Sequence, residues 1–216
     1  MFIAISQDNI DLGVKGYADS LENNYPNYLK KFGIKLIQIP NGFDINEYFN
    51  NFPIKGIILT GGTNIGKRPI RDQTEEKLLD LAIKRKLPML GICRGIQFIN
   101  HYFGGNLIQN IKEEIKDNVG HIATTHKIKL SEDTQKFFGK DIFIVNSFHN
   151  QGINEKNLSK ELKIFAISKE DGIIEGIFHP KYPIAGIEWH PERESPDKEF
   201  NKKIINAFLK RELFWR

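Results

Sequence analysis

The sequence predicts an α/β protein in which helices flank a mostly parallel β-sheet that carries a small antiparallel extension. The first half of the 216-residue chain alternates short isoleucine-rich runs with segments of helical period. That order is typical of parallel strands joined by crossover helices. The second half contains short β-rich runs separated by turns, which is typical of antiparallel strands.

The first predicted strands and helices follow one another closely. "MFIAIS" predicts the first strand, and residues 17–32 predict the first helix. The runs "IKLIQIP" and "IKGIILTGG" predict two further strands, with a short helix near Asn46 between them. This order of strand, helix, strand, helix and strand indicates a parallel arrangement.

The centre of the chain predicts a long helix, a strand and a second helix. Asp72 and Glu75 form a D-x-x-E helix start, and the amphipathic segment that follows runs up to Pro88. "PMLGI" predicts the strand that leads into Cys93. The next segment, "RGIQFINHYF", has helical spacing and stops at a glycine pair, which is a common helix end.

The second half predicts a series of short strands and two helices. The strand runs are "HKIKL", "DIFIVNS", "LKIFAIS", "GIIEGIFH" and "PIAGIEWH". Helical signals occur near Thr134 and after Ser195, where Pro196 would occupy the first helical position. Because no repeat or linker-like segment interrupts the sequence, we expect a single domain over residues 1–216.

The composition and charge of the chain limit the classes of function that it can have. Hydrophobic residues make up 40% of the chain, which is enough for a sizeable core, and a single cysteine cannot form an internal disulfide. The sequence shows no basic leader or long apolar segment, so we expect a cytoplasmic protein without membrane contact. The net charge of +4 comes from basic residues interleaved with acidic ones. This favours a solvated surface over a nucleic-acid site, with a small anionic ligand as the alternative.

The lone cysteine lies in a G-x-C-x-G turn, from Gly91 to Gly95, between a predicted strand and a predicted helix. Glycines on both sides let the backbone turn sharply and hold the thiol at the carboxyl edge of the sheet. The N–H groups that begin the helix, that of Arg94 among them, would favour the thiolate and hold a developing oxyanion. Cys93 is therefore a candidate nucleophile, although a lone cysteine is more often a small buried hydrophobic residue.

The stretch "GIEWHPE" supplies a candidate base. His190 and Glu192 are two residues apart, so in an extended chain their side chains would share one face. Glu192 would then accept a hydrogen bond from one imidazole nitrogen while the other nitrogen faces Cys93. Alone, "HPE" is more often a surface turn, but together with the cysteine turn it forms a candidate catalytic triad.

The glycine-rich stretch "LTGGTNIG" is a third candidate element. It follows a predicted strand directly, but it lacks the Lys-Ser/Thr ending of a phosphate-binding P-loop. Its position one strand before the cysteine turn favours a role beside the nucleophile over that of a plain turn. We expect the N–H of Gly61 or Gly62 to oppose the N–H of Arg94 and to stabilise an oxyanion.

The sequence does not predict a metal site. The residues that would suggest one are His121, His126, Glu113 and Glu114. They lack the tight ligand spacing of a zinc motif, and thiol chemistry of this kind needs no metal or organic cofactor. His101 and His179 are most simply surface or packing residues.

Six stretches of the sequence together resemble one protein family. They are "RDQTEEKLL", "GICRGIQFIN", "GGNLIQNI", "VNSFHNQGI", "DGIIEGI" and "GIEWHPE". In this order they are similar to class I glutamine amidotransferases, and in particular to the γ-glutamyl hydrolase branch of that superfamily. The resemblance covers essentially the whole chain and implies a flavodoxin-like α/β domain with a Cys-His-Glu triad.

The resemblance implies roles for individual residues. Cys93 corresponds to the nucleophile, His190 to the general base and then acid, and Glu192 to the residue that orients His190. The positions that contact the glutamyl group or line its pocket correspond to Gln97, Ser147, His149 and Gln151. The implied substrate is a small-molecule γ-glutamyl amide, without a cofactor and without an obligate protein partner.

A basic loop suggests the chemistry of the leaving group. "TNIGKRPIRD" places Lys67, Arg68 and Arg71 just after the glycine pair. Cationic side chains there would suit a phosphate-bearing leaving group, and within the resembled branch γ-glutamyl-CDP-amidate, which would release cytidine diphosphoramidate, fits this expectation. The alternatives are a hydrolase of γ-glutamyl-γ-aminobutyrate, a glutaminase subunit that delivers ammonia to a synthase, and a binding module without catalysis.

Overall fold

A computed structural model describes residues 1–116 and 119–212 of the chain. Within these ranges the strands are β1 (Phe2–Ser6), β2 (Asp8–Asp11), β3 (Tyr17–Ser20), β4 (Lys35–Ile39), β5 (Ile54–Leu59), β6 (Met89–Ile92), β7 (Ile122–Leu130), β8 (Ile142–Phe148), β9 (Lys163–Ser168), β10 (Ile174–Phe178) and β11 (Ile184–Ile187). The helices are α1 (Asn24–Leu29), α2 (Ile45–Asn51), α3 (Pro69–Arg85), α4 (Arg94–Tyr102), α5 (Ile111–Glu114), α6 (Glu132–Phe138) and α7 (Lys198–Lys210).

The main sheet runs in the order β4-β1-β5-β6-β11-β10-β9-β7-β8. The strands from β4 to β11 pair in parallel. From β11 onward through β10, β9, β7 and β8 the pairs are antiparallel. A separate antiparallel hairpin is formed by β2 and β3. The predicted α/β fold, with helices around a parallel sheet and an antiparallel extension, is confirmed.

Helices cover both faces of the sheet. One face packs against α1 and α7, through side chains such as Leu29 and Phe208. The other face packs against α2, α3 and α4, through side chains such as Phe49, Leu78 and Ile96. In the described ranges, no helix combines the length and the apolar character needed to cross a bilayer.

The central strands determine where a ligand can reach the sheet. β6 lies between β5 and β11, and all three run in the same direction. Their carboxyl ends therefore meet at one edge, which is where open α/β sheets bind ligands. The chain leaves these ends at Thr60, Cys93 and Glu188, so the three stretches singled out from the sequence meet at this edge.

Three predicted helix starts are wrong. The long helix α3 begins at Pro69, so Asp72 lies in its first turn and does not start it. Residues 17–32 do not form one helix, because Tyr17–Ser20 is the second strand of the hairpin and α1 begins only at Asn24. The turn of the hairpin uses Gly13 and Gly16 at φ 65° and 83°, which suits glycine and competes with helix formation. The last helix begins at Lys198 with Asp197 as the preceding cap residue, two positions after the predicted first residue.

Candidate active site

Cys93 lies at the sharp turn from β6 into α4. Its backbone has φ 53° and ψ −110°, a conformation that residues other than glycine rarely adopt. The neighbouring glycines allow close packing around this turn. A methyl group on Gly95 would lie 2.5 Å from the Leu59 carbonyl oxygen, and one on Gly91 would lie 2.5 Å from the Gly95 carbonyl carbon. The turn therefore holds the cysteine at the ligand-binding edge of the sheet.

The thiol of Cys93 is nearly buried, with 9% of the residue exposed. Burial raises the pKa of the thiol, the negative charge of Glu188 raises it further, and the hydrogen bond from the Arg94 N–H opposes both effects. The Arg94 N–H thus favours the thiolate, as expected, but burial acts in the opposite direction and has the larger effect on the pKa. A neutral thiol needs a base at the moment of attack.

His190 and Glu192 form a buried pair, with His190 Nδ1 and Glu192 Oε1 2.6 Å apart. The pair does not arise from alternation along a strand, because β11 ends at Ile187 and both residues lie in the turn after it. A methyl group on Gly61 would lie 3.0 Å from His190 Cε1 and 3.5 Å from Cys93 Cβ. The imidazole and the cysteine side chain therefore converge on Gly61.

Asn146 holds the backbone of His190 in place. Its side-chain oxygen accepts a hydrogen bond from the His190 N–H, and its amide nitrogen donates to the carbonyl oxygens of His190 and Glu194, each at 2.8 Å. The Phe148 ring meets the imidazole edge-on at 5.7 Å between centroids. Sequence reasoning missed Asn146, because these contacts join residues far apart in the chain.

The backbone N–H groups of Gly61 and Gly62 differ in their hydrogen-bond acceptors. The Gly61 N–H donates to the Tyr25 hydroxyl at 3.0 Å, so it already has an acceptor. Among the described residues, the Gly62 N–H has no acceptor. Gly62 has φ 127°, and a methyl group there would lie 2.5 Å from Asp8 Oδ2, so only glycine fits. Of the two predicted oxyanion donors, Gly62 keeps its N–H available.

Arg71 does not reach toward a leaving group, which corrects the prediction from the basic loop. The side chain is fully buried, and its guanidinium donates to Asp8 at 2.7 Å and to Glu75 at 3.0 Å. It also donates to the carbonyl oxygens of Thr60 and Gly61 at 2.9 and 3.0 Å. Arg71 is therefore a positioning residue that fixes the shape of the glycine loop.

Arg94 belongs to the same buried network. Its guanidinium pairs with Glu75 and Asp72 on α3. The two arginines share Glu75, and their charges hold the pKa of that carboxyl below its ordinary value although its burial acts in the opposite direction. The network ties the glycine loop, α3 and the helix that follows Cys93 into one unit.

Arg68 stays at the surface, with 24% of its side chain exposed. Its Nε donates to the Asn9 carbonyl oxygen at 2.8 Å, and its guanidinium lies 5.0 Å from the centroid of the Tyr17 ring. Asp11 lies 3.8 Å from it. Arg68 thus joins the basic loop to the β2–β3 hairpin and still presents part of its charge to solvent, so its predicted contact with the leaving group stays a prediction.

Gln97 and Gln151 contact each other beneath the cysteine turn. Gln97 Nε2 lies 3.2 Å from the Gln151 carbonyl oxygen and 3.2 Å from Glu188 Oε2. Burial raises the pKa of Glu188 to about 8. Gln151 in turn donates to the side chain of Gln109 at 2.5 Å. Both glutamines are buried, and among the described residues Gln151 Oε1 has no hydrogen-bond partner, so their predicted contact with a glutamyl group stays a prediction.

Ser147 is fully buried, whereas His149 lines a cavity together with His121. The Ser147 hydroxyl donates to the His121 carbonyl oxygen at 3.0 Å and is fully buried. His149 Nε2 faces Glu175 Oε1 at 3.5 Å, and the neighbouring His121 ring lies 4.7 Å from the His149 ring. The structure therefore groups His149 with residues that sequence reasoning placed apart from it.

The remaining histidines, and the two glutamates considered for a metal site, lie in different parts of the structure. His126 joins the group around Glu175, with its Nε2 3.1 Å from Glu175 Oε1. Glu114 lies elsewhere and accepts hydrogen bonds from the backbone N–H groups that precede α5, and Glu113 is exposed. His101 is exposed, and His179 packs between aromatic rings.

The fold is that of a class I glutamine amidotransferase-like protein. The chain matches the peptidase C26 family over residues 3–192, and it belongs to that family. A crystal structure of a Thermoplasma acidophilum protein, provisionally named as part of a GMP synthase, matches the fold with a TM-score of 0.72 at 23% identity, covering 97% of this chain and 93% of its own.

Two relatives are similar in sequence. A Schizosaccharomyces pombe protein, provisionally named a glutamine amidotransferase, is 32% identical over 217 residues, which cover 91% of this chain and 83% of the relative. The γ-glutamyl-CDP-amidate hydrolase of Campylobacter jejuni is 32% identical over 163 residues, which cover 73% of this chain and 72% of the relative. The family and the second relative support a hydrolase.

Proposed function

We propose that the protein hydrolyses a γ-glutamyl amide bond through a thioester at Cys93, releasing glutamate and an amine or amidate. The observation that carries this proposal is the convergence of Cys93 and the His190–Glu192 pair on Gly61, at the shared edge of β5, β6 and β11. Membership of the peptidase C26 family and the activity named for the Campylobacter relative support it.

The reaction starts from a neutral thiol. As Cys93 Sγ attacks the γ-carbonyl carbon, His190 takes the thiol proton, and Glu192 stabilises the imidazolium through its hydrogen bond with Nδ1. The N–H groups of Arg94 and Gly62 stabilise the oxyanion. His190 then protonates the leaving nitrogen, the C–N bond breaks and a γ-glutamyl thioester remains. Water that loses its proton to His190 cleaves this thioester to glutamate, and no step uses a metal or an organic cofactor.

Substitutions of the histidine–glutamate pair test these roles. We expect His190→Asn to lower kcat/KM by about 10³-fold or more, because it removes the base and acid. Glu192→Gln should cost roughly 10–100-fold, because the imidazole remains but is less well oriented and its cation less stabilised. The exposed His101→Asn serves as the control and should react like the wild type. Near-wild-type rates for both His190→Asn and Glu192→Gln would remove the pair from the mechanism.

The substrate that we favour carries a nucleotide, as in γ-glutamyl-CDP-amidate. This rests on the activity named for the Campylobacter relative and on the surface around Arg68. There, a partly exposed guanidinium lies beside Tyr17, which is 62% exposed. A cation next to an exposed aromatic ring can contact both the phosphate and the base of a nucleotide.

A comparison of three substrates tests the proposal that the substrate carries a nucleotide. We expect kcat/KM to be higher for γ-glutamyl-CDP-amidate than for γ-glutamyl-γ-aminobutyrate or glutamine, and to fall more steeply as salt is added. Arg68→Ala should weaken the nucleotide substrate about tenfold and leave the other two unchanged. Arg85→Ala, the same charge change at the far end of α3, is the control. Preference for γ-glutamyl-γ-aminobutyrate without any selective effect of Arg68→Ala would contradict the nucleotide substrate and leave the hydrolase proposal standing.

The proposed enzyme acts without a protein partner. A glutaminase subunit would instead show negligible hydrolysis of glutamine until its synthase is added. Turnover of a γ-glutamyl amide by the isolated chain therefore distinguishes the two, and failure of every γ-glutamyl amide to acylate Cys93 would favour a binding module.

A further inference from the structure

Three buried side chains outside the proposed triad converge on one point. His121 precedes β7, His149 follows β8 and Glu175 lies on β10. Their candidate ligand atoms lie within 4.8 Å of one another. His121 Nδ1 and His149 Nε2 lie 3.6 and 3.5 Å from Glu175 Oε1. We call these three residues the histidine–glutamate cluster.

Within the described residues, the atoms of Glu175 and His149 that face into this cluster lack hydrogen bonds. Glu175 is 0% exposed, and within the described part of the chain neither of its carboxylate oxygens accepts a hydrogen bond. His149 is 4% exposed, and its Nε2 has no partner either. A buried carboxylate requires compensation by a positive charge. Although burial lowers it, Glu188 and Glu175 raise the pKa of His149 to about 9, so a metal ion at this nitrogen would take the place of a proton.

The outer nitrogens of both imidazoles are already engaged. His121 Nε2 lies 2.8 Å from Asp171 Oδ2, and His149 Nδ1 lies 2.8 Å from the Gln151 carbonyl oxygen. Donation of these N–H groups outward leaves a lone pair on the nitrogen that faces Glu175. Histidines that bind metals are typically held in this way, by a carboxylate or a backbone carbonyl behind the ring.

The Ser147 hydroxyl is the present partner of His121 Nδ1, at 3.1 Å, and it also donates to the His121 carbonyl oxygen at 3.0 Å. A metal ion at this nitrogen would displace the first contact and leave the second in place. His126 Nε2 approaches Glu175 Oε1 to 3.1 Å without hydrogen-bond geometry.

Two of the three distances between the candidate ligand atoms are close to those around a small tetrahedral ion. Bonds of about 2.0–2.1 Å to zinc place neighbouring ligand atoms about 3.3–3.4 Å apart in a tetrahedral site. The two nitrogen–oxygen distances of 3.6 and 3.5 Å are close to this value. A cavity of about 270 Å³, lined by His121 and His149 together with Ile111 and Asn150, adjoins the cluster and provides room for water or a fourth ligand.

We infer that His121, His149 and Glu175 bind one divalent transition-metal ion of the zinc class, with a fourth coordination position toward the adjoining cavity. Two imidazoles and a carboxylate are a donor set that zinc accepts. The expectation that no metal site exists rested on chain spacing, which does not show that these residues meet across the antiparallel strands. The inference is independent of the proposed hydrolysis.

The experiment measures zinc binding to the Cys93→Ala variant, because a thiol beside His190 could itself bind zinc. After treatment with a chelator, calorimetric titration with ZnCl₂ should give one ion per chain. In this background, Glu175→Gln and His149→Ala should each weaken binding by more than about 100-fold, and Asp171→Asn should weaken it roughly 10–100-fold. His101→Gln, which changes an exposed histidine, should bind zinc like the parent.

X-ray absorption of the zinc-loaded Cys93→Ala protein gives a second measurement that needs no further variant. It should show two imidazoles and oxygen in the coordination shell at distances near 2.0–2.1 Å. If the folded parent binds no zinc, protons alone compensate Glu175 and the inference is wrong. Undiminished binding by folded Glu175→Gln and His149→Ala, or a shell without imidazole, would equally overturn it.

Discussion

Replacement of Cys93 by alanine is expected to lower turnover of γ-glutamyl amides by on the order of 10⁴–10⁶-fold, because no other group in the proposed mechanism can form the thioester. The fold should survive. Alanine tolerates the positive φ at this position no worse than cysteine does, and loss of one small side chain costs on the order of 1–2 kcal/mol. Steady-state kinetics and circular dichroism of the purified variant measure the two effects.

The thioester itself can be observed, because the chain has a single cysteine. Acid quenching of the wild type during turnover, followed by mass spectrometry, should reveal a glutamyl adduct on the peptide that contains Cys93. The Cys93→Ala protein should bind the same substrate without forming an adduct. More than trace activity in an uncontaminated preparation of this variant would show that the mechanism does not depend on the thiol.

Glu75→Gln is expected to lower the free energy of unfolding by about 3–5 kcal/mol, because it removes the carboxylate that Arg71 and Arg94 share and leaves two buried guanidinium groups undercompensated. The same change should lower kcat for every substrate, since Arg71 positions the glycine loop. Unfolding in urea, monitored by tryptophan fluorescence, measures the loss of stability.

Glu76 offers a matched control for this substitution. It is the next residue on α3 and is exposed, so Glu76→Gln makes the same chemical change without disturbing the buried arginines. Its effect on unfolding should stay within about 0.5 kcal/mol. Equal stability of the two variants would mean that Asp8 and Asp72 suffice to compensate Arg71 and Arg94.

Local patterns in the sequence predicted the parts of the site that depend on local structure. The alternation of apolar and helical segments predicted the parallel strands, and the glycines around Cys93 predicted its sharp turn. The pairing of His190 with Glu192 was also expected, although a turn and not a strand produces it. Each of these features is determined by neighbours within a few residues.

Features that depend on distant partners were not predicted. Arg71 stands in a basic loop sequence, so it suggests an exposed cation, yet Asp8 and Glu75 allow its burial. The pKa of Cys93 likewise depends on burial and on the distant Glu188. His149 follows β8 and Glu175 lies on β10, and their proximity depends on strand order, which spacing along the chain does not reveal.

The parallel pairing of β6 with β11 also has a consequence for biosynthesis. Met89 pairs with Ile184, so the strand that precedes the nucleophile is completed only by a strand near the end of the chain. During translation the N-terminal half emerges first, with one edge of β6 open and without His190 beside Cys93. Such long-range pairing is slow and exposes an unpaired edge to other chains. Nascent chains that end before β11 should therefore be both inactive and dependent on chaperones.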